Sequence, residues 1–465
     1  MHAMSTEAPA RPTQSGPNYD RRTLMLLQAP ILPTLLRLSA PNVLVMLAQA
    51  STGLIEAAFV GRLGTGPLAG MALVFPGFML MQMMSSGAVG GAIAAAIARA
   101  LGAGRRAEAD ELAWHAVVIN LIFGACFTVA GLVAGPALYR AMGASGDDLA
   151  AARLYSGVVF GGAVLLWGFN GLASCIRGTG NMLVPASVIC GGVVVLVPLS
   201  PCLIFGLGPF PALGVAGGGV AILLYYLCGG AILLWFLRRR SVVRLRPVPL
   251  RAGPLWAILK MGLLASLTSL QTNLVVGVTT AFVSVAGPGA IAGYGTGARL
   301  EYLLVPLVFG LGAPLVALVG TNLGAGQRAR ALRAAWIGAA FAFFLAEAIG
   351  LAAATWPEAW LRLFGDDPAM LATGAAYLRT VGPAYGAFGA GMVLYFSSQG
   401  AGRLLWPLLA ALLRSIVAIG GGWLALRAGA GMQGLYLALA AALIVMGAVN
   451  AASVAAGAWF TGARA

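Results

Sequence analysis

Three carboxylates stand well inside long apolar stretches of this 465-residue chain: Glu56, Glu301 and Glu347. An ionised acid near mid-bilayer costs about 2.5–3.5 kcal/mol on insertion scales, so such a residue is read as functional by default. Burial favours the neutral form of a carboxyl, which suits binding and release of a proton near neutral pH. Glu56 has the most supportive surroundings. Gln49, Thr52 and Gly53 precede it by seven, four and three residues and share its helix face. This stripe is expected to point at protein or water, with Glu56 as the ion-coupling group. The alternative is a protonated Glu packed against a neighbouring helix. Pro41 lies fifteen residues earlier and permits a bend in the same helix.

Glu301 follows Arg299 by two residues, which places the two on different helix faces. Arg414, in a later apolar segment, is the candidate partner for Glu301, and a structural role and a transport role both stay open. Glu347 is expected at an interface or outside any cavity. Asn170, in Trp167-Gly-Phe-Asn170, is an uncharged polar candidate. Ser266, Ser269, Asn273 and Thr280 recur at helical spacing, with Gln271 among them, and either line a polar wall or bond between helices.

Other chemistries find no support. There is no Walker A sequence, HExxH or GxSxG, and the five cysteines make no CxxC pair. His2 and His115 are far apart. The expectation is therefore a protein that is not an enzyme and has no metal centre, disulfide framework or cofactor.

The elements that must position these residues are apolar helices. The chain is 60% hydrophobic and 9% charged, with mean hydropathy +0.91, whereas a soluble domain carries roughly 25% charged residues. Its partner is a lipid bilayer. The net charge of +15 comes from short basic clusters between apolar runs and not from a basic face with interleaved aromatics, so nucleic acid is not expected. Twelve spans are read at about 38–61, 66–97, 108–138, 148–174, 181–205, 213–237, 256–285, 289–321, 329–354, 369–397, 404–426 and 433–460. The acidic turns at Asp147-Asp148 and Asp366-Asp367 are expected to cap the fourth and tenth helices.

The chain also repeats itself. Leu101-Gly-Ala-Gly104, with Trp114 downstream, returns as Leu323-Gly-Ala-Gly326 and Trp336, and Gly178, Gly180, Leu183 and Pro185 return as Gly400, Gly402, Leu405 and Pro407, all at a spacing of 222 residues. The organisation read from this is a disordered tail (1–35), an N-lobe of six helices (36–237), a basic linker (238–255), a C-lobe of six helices (256–460) and a short C-terminus (461–465). Arginines in the 2–3, 6–7 and 8–9 loops place both termini in the cytoplasm of a bacterial inner-membrane protein.

The sequence resembles the multidrug and toxic compound extrusion (MATE) family of secondary antiporters. The resemblance is carried by Glu56-Ala-Ala-Phe-Val-Gly61, Leu101-Gly-Ala-Gly104, Arg177-Gly178-Thr-Gly180, Leu203 to Gly217, Arg299-Leu-Glu301 and Val319 to Gly326, and it covers residues about 35 to 460. It implies an all-α membrane fold of twelve helices in two pseudo-symmetric lobes around a V-shaped cavity. It also implies a monomer that exports amphipathic, often cationic small molecules in exchange for H⁺ or Na⁺. Glu56 stands where many members carry a coupling aspartate. Where relatives with an N-lobe cation site carry Asn and Asp, this chain has Leu196 and Ser200, and Ile222 replaces a hydroxyl. Na⁺ wants several hard oxygen ligands, so H⁺ is the expected coupling ion. A flippase for a lipid-linked sugar is the alternative within the superfamily, disfavoured because only Arg299 and Arg414 are read as intramembrane cations. A membrane enzyme or receptor is the reading outside it.

Overall fold

Apolar helices in lipid satisfy their own backbone groups, which makes length and interruption the informative features. The computed structural model describes residues 19–285 and 287–460, and among them no strand occurs. The N-lobe comprises α1 (Arg21–Gln28), α2 (Ile31–Gly61), α3 (Thr65–Met83), a π-helical turn (Met84–Val89), α4 (Gly90–Gly102), α5 (Arg106–Ala141), α6 (Gly146–Gly161), α7 (Ala163–Gly178), α8 (Leu183–Phe205) and α9 (Val215–Arg239). The C-lobe comprises α10 (Ala252–Ser284), α11 (Pro288–Gly324), α12 (Arg328–Thr355), α13 (Pro357–Leu361), α14 (Pro368–Val381), a 3-10 turn (Gly382–Ala384), α15 (Tyr385–Ala401), α16 (Leu405–Ser415), a π turn (Ile416–Gly421), α17 (Gly422–Arg427) and α18 (Gly431–Ala455).

Among the described residues, ten helices are long and apolar enough to cross a bilayer without a break. The other two expected crossings are interrupted. The fourth bends by 43° between α6 and α7 at Gly161-Gly162. The tenth is α14 and α15, joined through Gly382-Pro383-Ala384. Glycine and proline are the weakest helix formers, which explains why the breaks fall there. The two breaks are repeat-equivalent, because Gly162 and Ala384 are separated by the 222-residue period. The π turns obey the same logic: Pro306 stands one period after Met84, and Pro198 stands one period before Gly420. Each lobe thus weakens the same two spans, one with a π turn and the other with a proline.

The contacts repeat as well. A Cβ on Gly178 would press on Ala94 and Ile97, and one on Gly400 would press on the equivalent Val316 and Val319. Between the lobes the contact is reciprocal. A Cβ on Gly102 would lie 2.0 Å from the Thr321 carbonyl oxygen, and one on Gly324 would lie 2.1 Å from that of Arg99. These four residues form two equivalent pairs about a pseudo-two-fold axis, at the end bearing the 103–105 and 325–327 loops. Arg99 Nη1 donates to the Gly400 carbonyl at 2.8 Å across the same seam.

Three expectations are corrected. Residues 21–35 are not a disordered tail. The segment is amphipathic, and Leu26, Ile31 and Leu35 bury themselves against Leu315, Leu318 and Ala335 of the C-lobe. Asn322 Nδ2 donates to the Leu26 carbonyl at 3.0 Å. The lobes also exchange helix ends, so the boundary at 256 does not divide the packing. The start of α10 (Ile258, Met261, Ala265) joins the N-lobe core, and the connecting strap is pinned by Arg244 N–H to Asp110 (2.7 Å) and Arg251 N–H to His115 Nε2 (2.9 Å). Asp367 caps α14 through Met370 N–H, but Asp147 and Asp148 do not cap α6. Its N-cap residue is Ser145, and the two acids occupy the first turn, where the helix dipole favours them.

Gly102→Val and Gly324→Val are each expected to destabilise the protein by at least about 1–3 kcal/mol, because the neighbour is backbone and cannot yield. Gly157→Ala, which meets nothing within 4 Å, is expected to stay within about 0.5 kcal/mol. Thermal unfolding of the purified protein in detergent checks the contrast.

Candidate functional site

A cavity lies between the lobes. Its walls come from α2, the π turn with α4, α7, α11 and α15, and its lining is built from repeat-equivalent positions. Gly87 faces Phe309, Ala94 faces Val316, Ser174 faces Phe396 and Arg177 faces Gln399, each pair one period apart. Asn42, buried on α2, donates to the Phe309 carbonyl at 3.2 Å and ties that helix to α11. Asn170 Nδ2 donates to Ser85 Oγ at 2.8 Å and to Gln82 Oε1 at 3.3 Å. The Tyr226 hydroxyl reaches the same Gln82 oxygen at 3.4 Å. Gln82 and Ser85 stand at the entry to the π turn, where the backbone widens and sets neighbouring side chains on a shared face.

Glu56 lies outside this cavity, deeper in the N-lobe. It is 6% exposed, and its Oε1 has no hydrogen-bond partner among the described residues. The room it occupies exists because residue 218 is glycine, where a Cβ would sit 2.6 Å from Oε1. The hydrogen bonds lead from the cavity through Asn170 and Gln82 as far as Tyr226. Along α2 itself Asn42, Met46, Gln49, Gly53 and Glu56 recur every three or four residues, so cavity wall and carboxyl lie on one helix face. Pro41 sits inside α2, which is continuous through it.

The C-lobe holds a second polar pocket, closed off from the first. Glu301 accepts from the Tyr377 hydroxyl, and both line the pocket with Tyr294, Thr279 and Arg414. Tyr377 is one period after Tyr155, so each lobe sets the equivalent tyrosine beside its buried carboxylate. Glu301 and Arg414 share this pocket without an ion pair; the guanidinium lies over the Phe388 ring at 5.7 Å. Arg299 points elsewhere, over Phe364 at 5.2 Å. Glu347 accepts the Gly386 N–H at 2.8 Å, at the break between α14 and α15.

The remaining candidates divide as follows. Gln49 and Asn170 line the inter-lobe cavity. Thr52 returns its hydroxyl to the Ala48 carbonyl at 2.8 Å. Ser200 is buried, its hydroxyl has no hydrogen-bond partner among the described residues, and it is not part of the cavity lining. Gln271 does not line the cavity: its amide donates to the Ala411 carbonyl and to Ser415 Oγ and fastens α10 to α16. Ser269 donates to the Ala265 carbonyl at 3.4 Å, and Ser266 to that of Gly262 at 2.8 Å, so the expected polar wall of the C-lobe is partly spent on its own helix. The side chain of Asn273 lies outside the described residues. Sequence reasoning missed Arg177, Gln399, Asn42, Phe309 and Phe396. For Phe309, Phe396 and Gln399 the signal was the repeat, which places them one period after Gly87, Ser174 and Arg177.

The MatE family model matches residues 41–202 and 265–424. A protein of Shewanella oneidensis named "FAD transporter" is 28% identical over 80% of this chain and 82% of its own length. A protein of Deinococcus radiodurans named "Probable multidrug resistance protein NorM" is 31% identical over 66% of this chain and 67% of its own length. Among solved structures, an outward-facing conformation of a multidrug resistance MATE family transporter superposes with a TM-score of 0.85 at 23% identity, covering 94% of this chain and 99% of that one.

Gly218→Ala is expected to leave stability within about 1 kcal/mol while displacing the Glu56 carboxyl, because the clash falls on the end of a flexible side chain. The neighbouring Gly217→Ala meets the Leu203 backbone at 2.5 Å and is expected to lower the unfolding temperature. Infrared difference spectra over a pH series, with Glu56→Gln to assign the band, read the first effect; thermal unfolding reads the second.

Proposed function

The chain belongs to the MatE family of membrane transporters, and from that premise we propose that it exports amphipathic small molecules in exchange for protons, with Glu56 as the coupling carboxyl. One observation carries this reading: Glu56 is buried, carries an unpartnered oxygen, and shares a helix face with the α2 residues that line the inter-lobe cavity. The relatives bear names for a flavin nucleotide and for drugs, and an amphipathic molecule is what those names have in common.

The donor chemistry favours a proton over Na⁺. Leu196 and Ile222, at the positions where oxygen ligands would be needed, are buried and apolar. Among the described residues no group of three His, Cys, Asp or Glu side chains gathers anywhere. A carboxyl with one free oxygen beside two phenols can take a proton without further ligands. The basic loops, read as cytoplasmic, lie at the end where Gly102 and Gly324 form the seam, which supports reading that seam as the cytoplasmic closure and the cavity as outward-facing. Protonation of Glu56 removes its charge and lowers the cost of closing the lobe around it. The shift reaches the cavity through the α2 stripe and through Tyr226, Gln82 and Asn170, and substrate affinity falls. A coupled cycle requires that difference in affinity between the two states.

The test is export in everted vesicles under an imposed proton gradient. Glu56→Gln is expected to lower gradient-driven export at least about tenfold, with a residual rate that no longer responds to pH. A sodium gradient of equal size is expected to drive nothing. Wild-type export driven by sodium, or unchanged proton coupling in Glu56→Gln, would reject the proposal.

A further inference from the structure

We propose that the inter-lobe cavity is built for an aromatic small molecule bearing an anionic group, phosphate or carboxylate, with Arg177 holding the anion and Phe309 and Phe396 holding the ring. The inference rests on the reading that this cavity binds the exported substrate, and it replaces the cationic substrate expected from the family resemblance.

The argument comes from how two equivalent walls differ. The frame of the cavity is symmetric, so a symmetric sequence would line it with like residues. Instead Ser174 stands opposite Phe396, Arg177 opposite Gln399 and Gly87 opposite Phe309. The N-lobe wall is thereby polar and cationic, and the C-lobe wall aromatic. Asn170, Ser174 and Arg177 follow one another at four and three residues along α7, which gives a single polar stripe. Facing it, the rings of Phe309 and Phe396 meet edge to face with centroids 4.8 Å apart, a preferred arrangement for aromatic pairs, and both line the cavity.

The charge is uncompensated. Among the described residues no Asp or Glu lines the cavity. Among the described residues the ion pairs are Arg105–Glu108, Arg251–Glu111 and Arg362–Glu358, and none involves Arg177. Arg177 lies in the last turn of α7, where the carbonyl end of the helix favours a cation. That placement steadies the guanidinium yet leaves its planar fork of donors free, and the fork matches phosphate and carboxylate geometry. One further donor awaits a partner at the same place: Ser174 Oγ is buried without a hydrogen bond among the described residues, whereas the unpartnered Gln399 Oε1 can only accept. Gln399 lies flat on Gly91, where a Cβ would come within 2.3 Å of its amide oxygen. Its Nε2 is held by the Gly87 carbonyl at 3.2 Å. A cationic ligand here would meet a guanidinium and no carboxylate.

The test uses one ring with four head groups: 1-naphthyl phosphate, 1-naphthoate, neutral 1-naphthol and cationic 1-naphthylmethylammonium. Binding to the full-length protein in phosphatidylcholine nanodiscs, without a proton gradient, is read by ligand fluorescence at two salt concentrations. Wild type is expected to bind at least one of the two anions about tenfold or more tightly than naphthol, and the ammonium most weakly. The phosphate and carboxylate arms decide which anion fits. Arg177→Gln is expected to collapse the ratio of anion to naphthol to near one, and Arg177→Lys to keep part of it. Size-exclusion elution reports whether each variant is folded, and the wild-type ranking decides the matter even if a variant is not. A wild type that binds the ammonium as well as the anions, or binds none of the four, overturns the proposal, as does a folded Arg177→Gln with its ranking intact. Proton-driven export combined with a flat charge ranking would overturn this inference alone, and its absence combined with the expected ranking would overturn only the transport mechanism above.

Discussion

The structure depends on two backbones approaching more closely than any side chain allows. Gly102 lies against the Thr321 carbonyl and Gly324 against that of Arg99, and the pairs are exchanged by the pseudo-two-fold axis. Neither contact has a hydrophobic driving force, since lipid is as apolar as the helices. What draws the helices together is dispersion over a close-packed strip and the Arg99 donation to Gly400. Because the seam sits at one end of the molecule, the lobes are hinged there and enclose space above it. The exchange of helix ends reinforces the hinge: the start of α2 packs on the C-lobe and the start of α10 on the N-lobe. Each lobe is thus gripped by a lever belonging to the other.

Duplication supplies a frame, and divergence supplies chemistry. Breaks recur at equivalent depths in both halves, a π turn in one lobe answering a proline in the other, and so do the glycine contacts within each lobe. The tyrosines at 155 and 377 are equivalent, yet the carboxylates beside them come from different spans, Glu56 from the first and Glu301 from the eighth. Their environments differ accordingly. Glu301 has a phenol donor and an arginine in its pocket, whereas Glu56 has an unpartnered oxygen. A carboxylate with a fixed donor is suited to holding two helices together; one without is suited to changing its protonation.

How much of this was legible in the sequence follows from which forces act locally. Span number and order, the repeat, and the burial of Glu56 were readable because hydrophobic run length and residue spacing are properties of single segments. The amphipathic α1 was missed because its polarity resembles a tail, and only the C-lobe surface it covers gives it a reason to fold. Gln271 was left between a polar wall and a bond between helices because one helix face cannot reveal which neighbour it meets, and that neighbour is α16. Arg177 was quoted within Arg177-Gly178-Thr-Gly180 but given no role. Its meaning depends on Gln399, a residue 222 positions away, and on a cavity lining that holds no acid among the described residues. Absence around a point in space is not encoded in spacing along a chain.

The separation of Glu56 from the cavity has a physical consequence for the proposed antiport. A proton and an anionic substrate that met directly would attract, and their exchange would become co-transport. Placing the carboxyl behind the cavity wall, with Tyr226, Gln82 and Asn170 between, keeps the two charges from pairing and leaves geometry as the only link. The link is stiff. Met46 and Gln49 are the last cavity residues on α2 before Gly53 and Glu56, and a rotation of that helix moves all of them at once. Gly53 meets nothing within 4 Å and Gly218 leaves room beside the carboxyl, so the helix has space to turn on the side where Glu56 lies. At its other end α2 is fixed to the C-lobe through Asn42 and the Phe309 carbonyl. A motion begun at Glu56 is therefore delivered to the wall where Phe309 stands, and the ring-binding side of the cavity is the side such a switch would move.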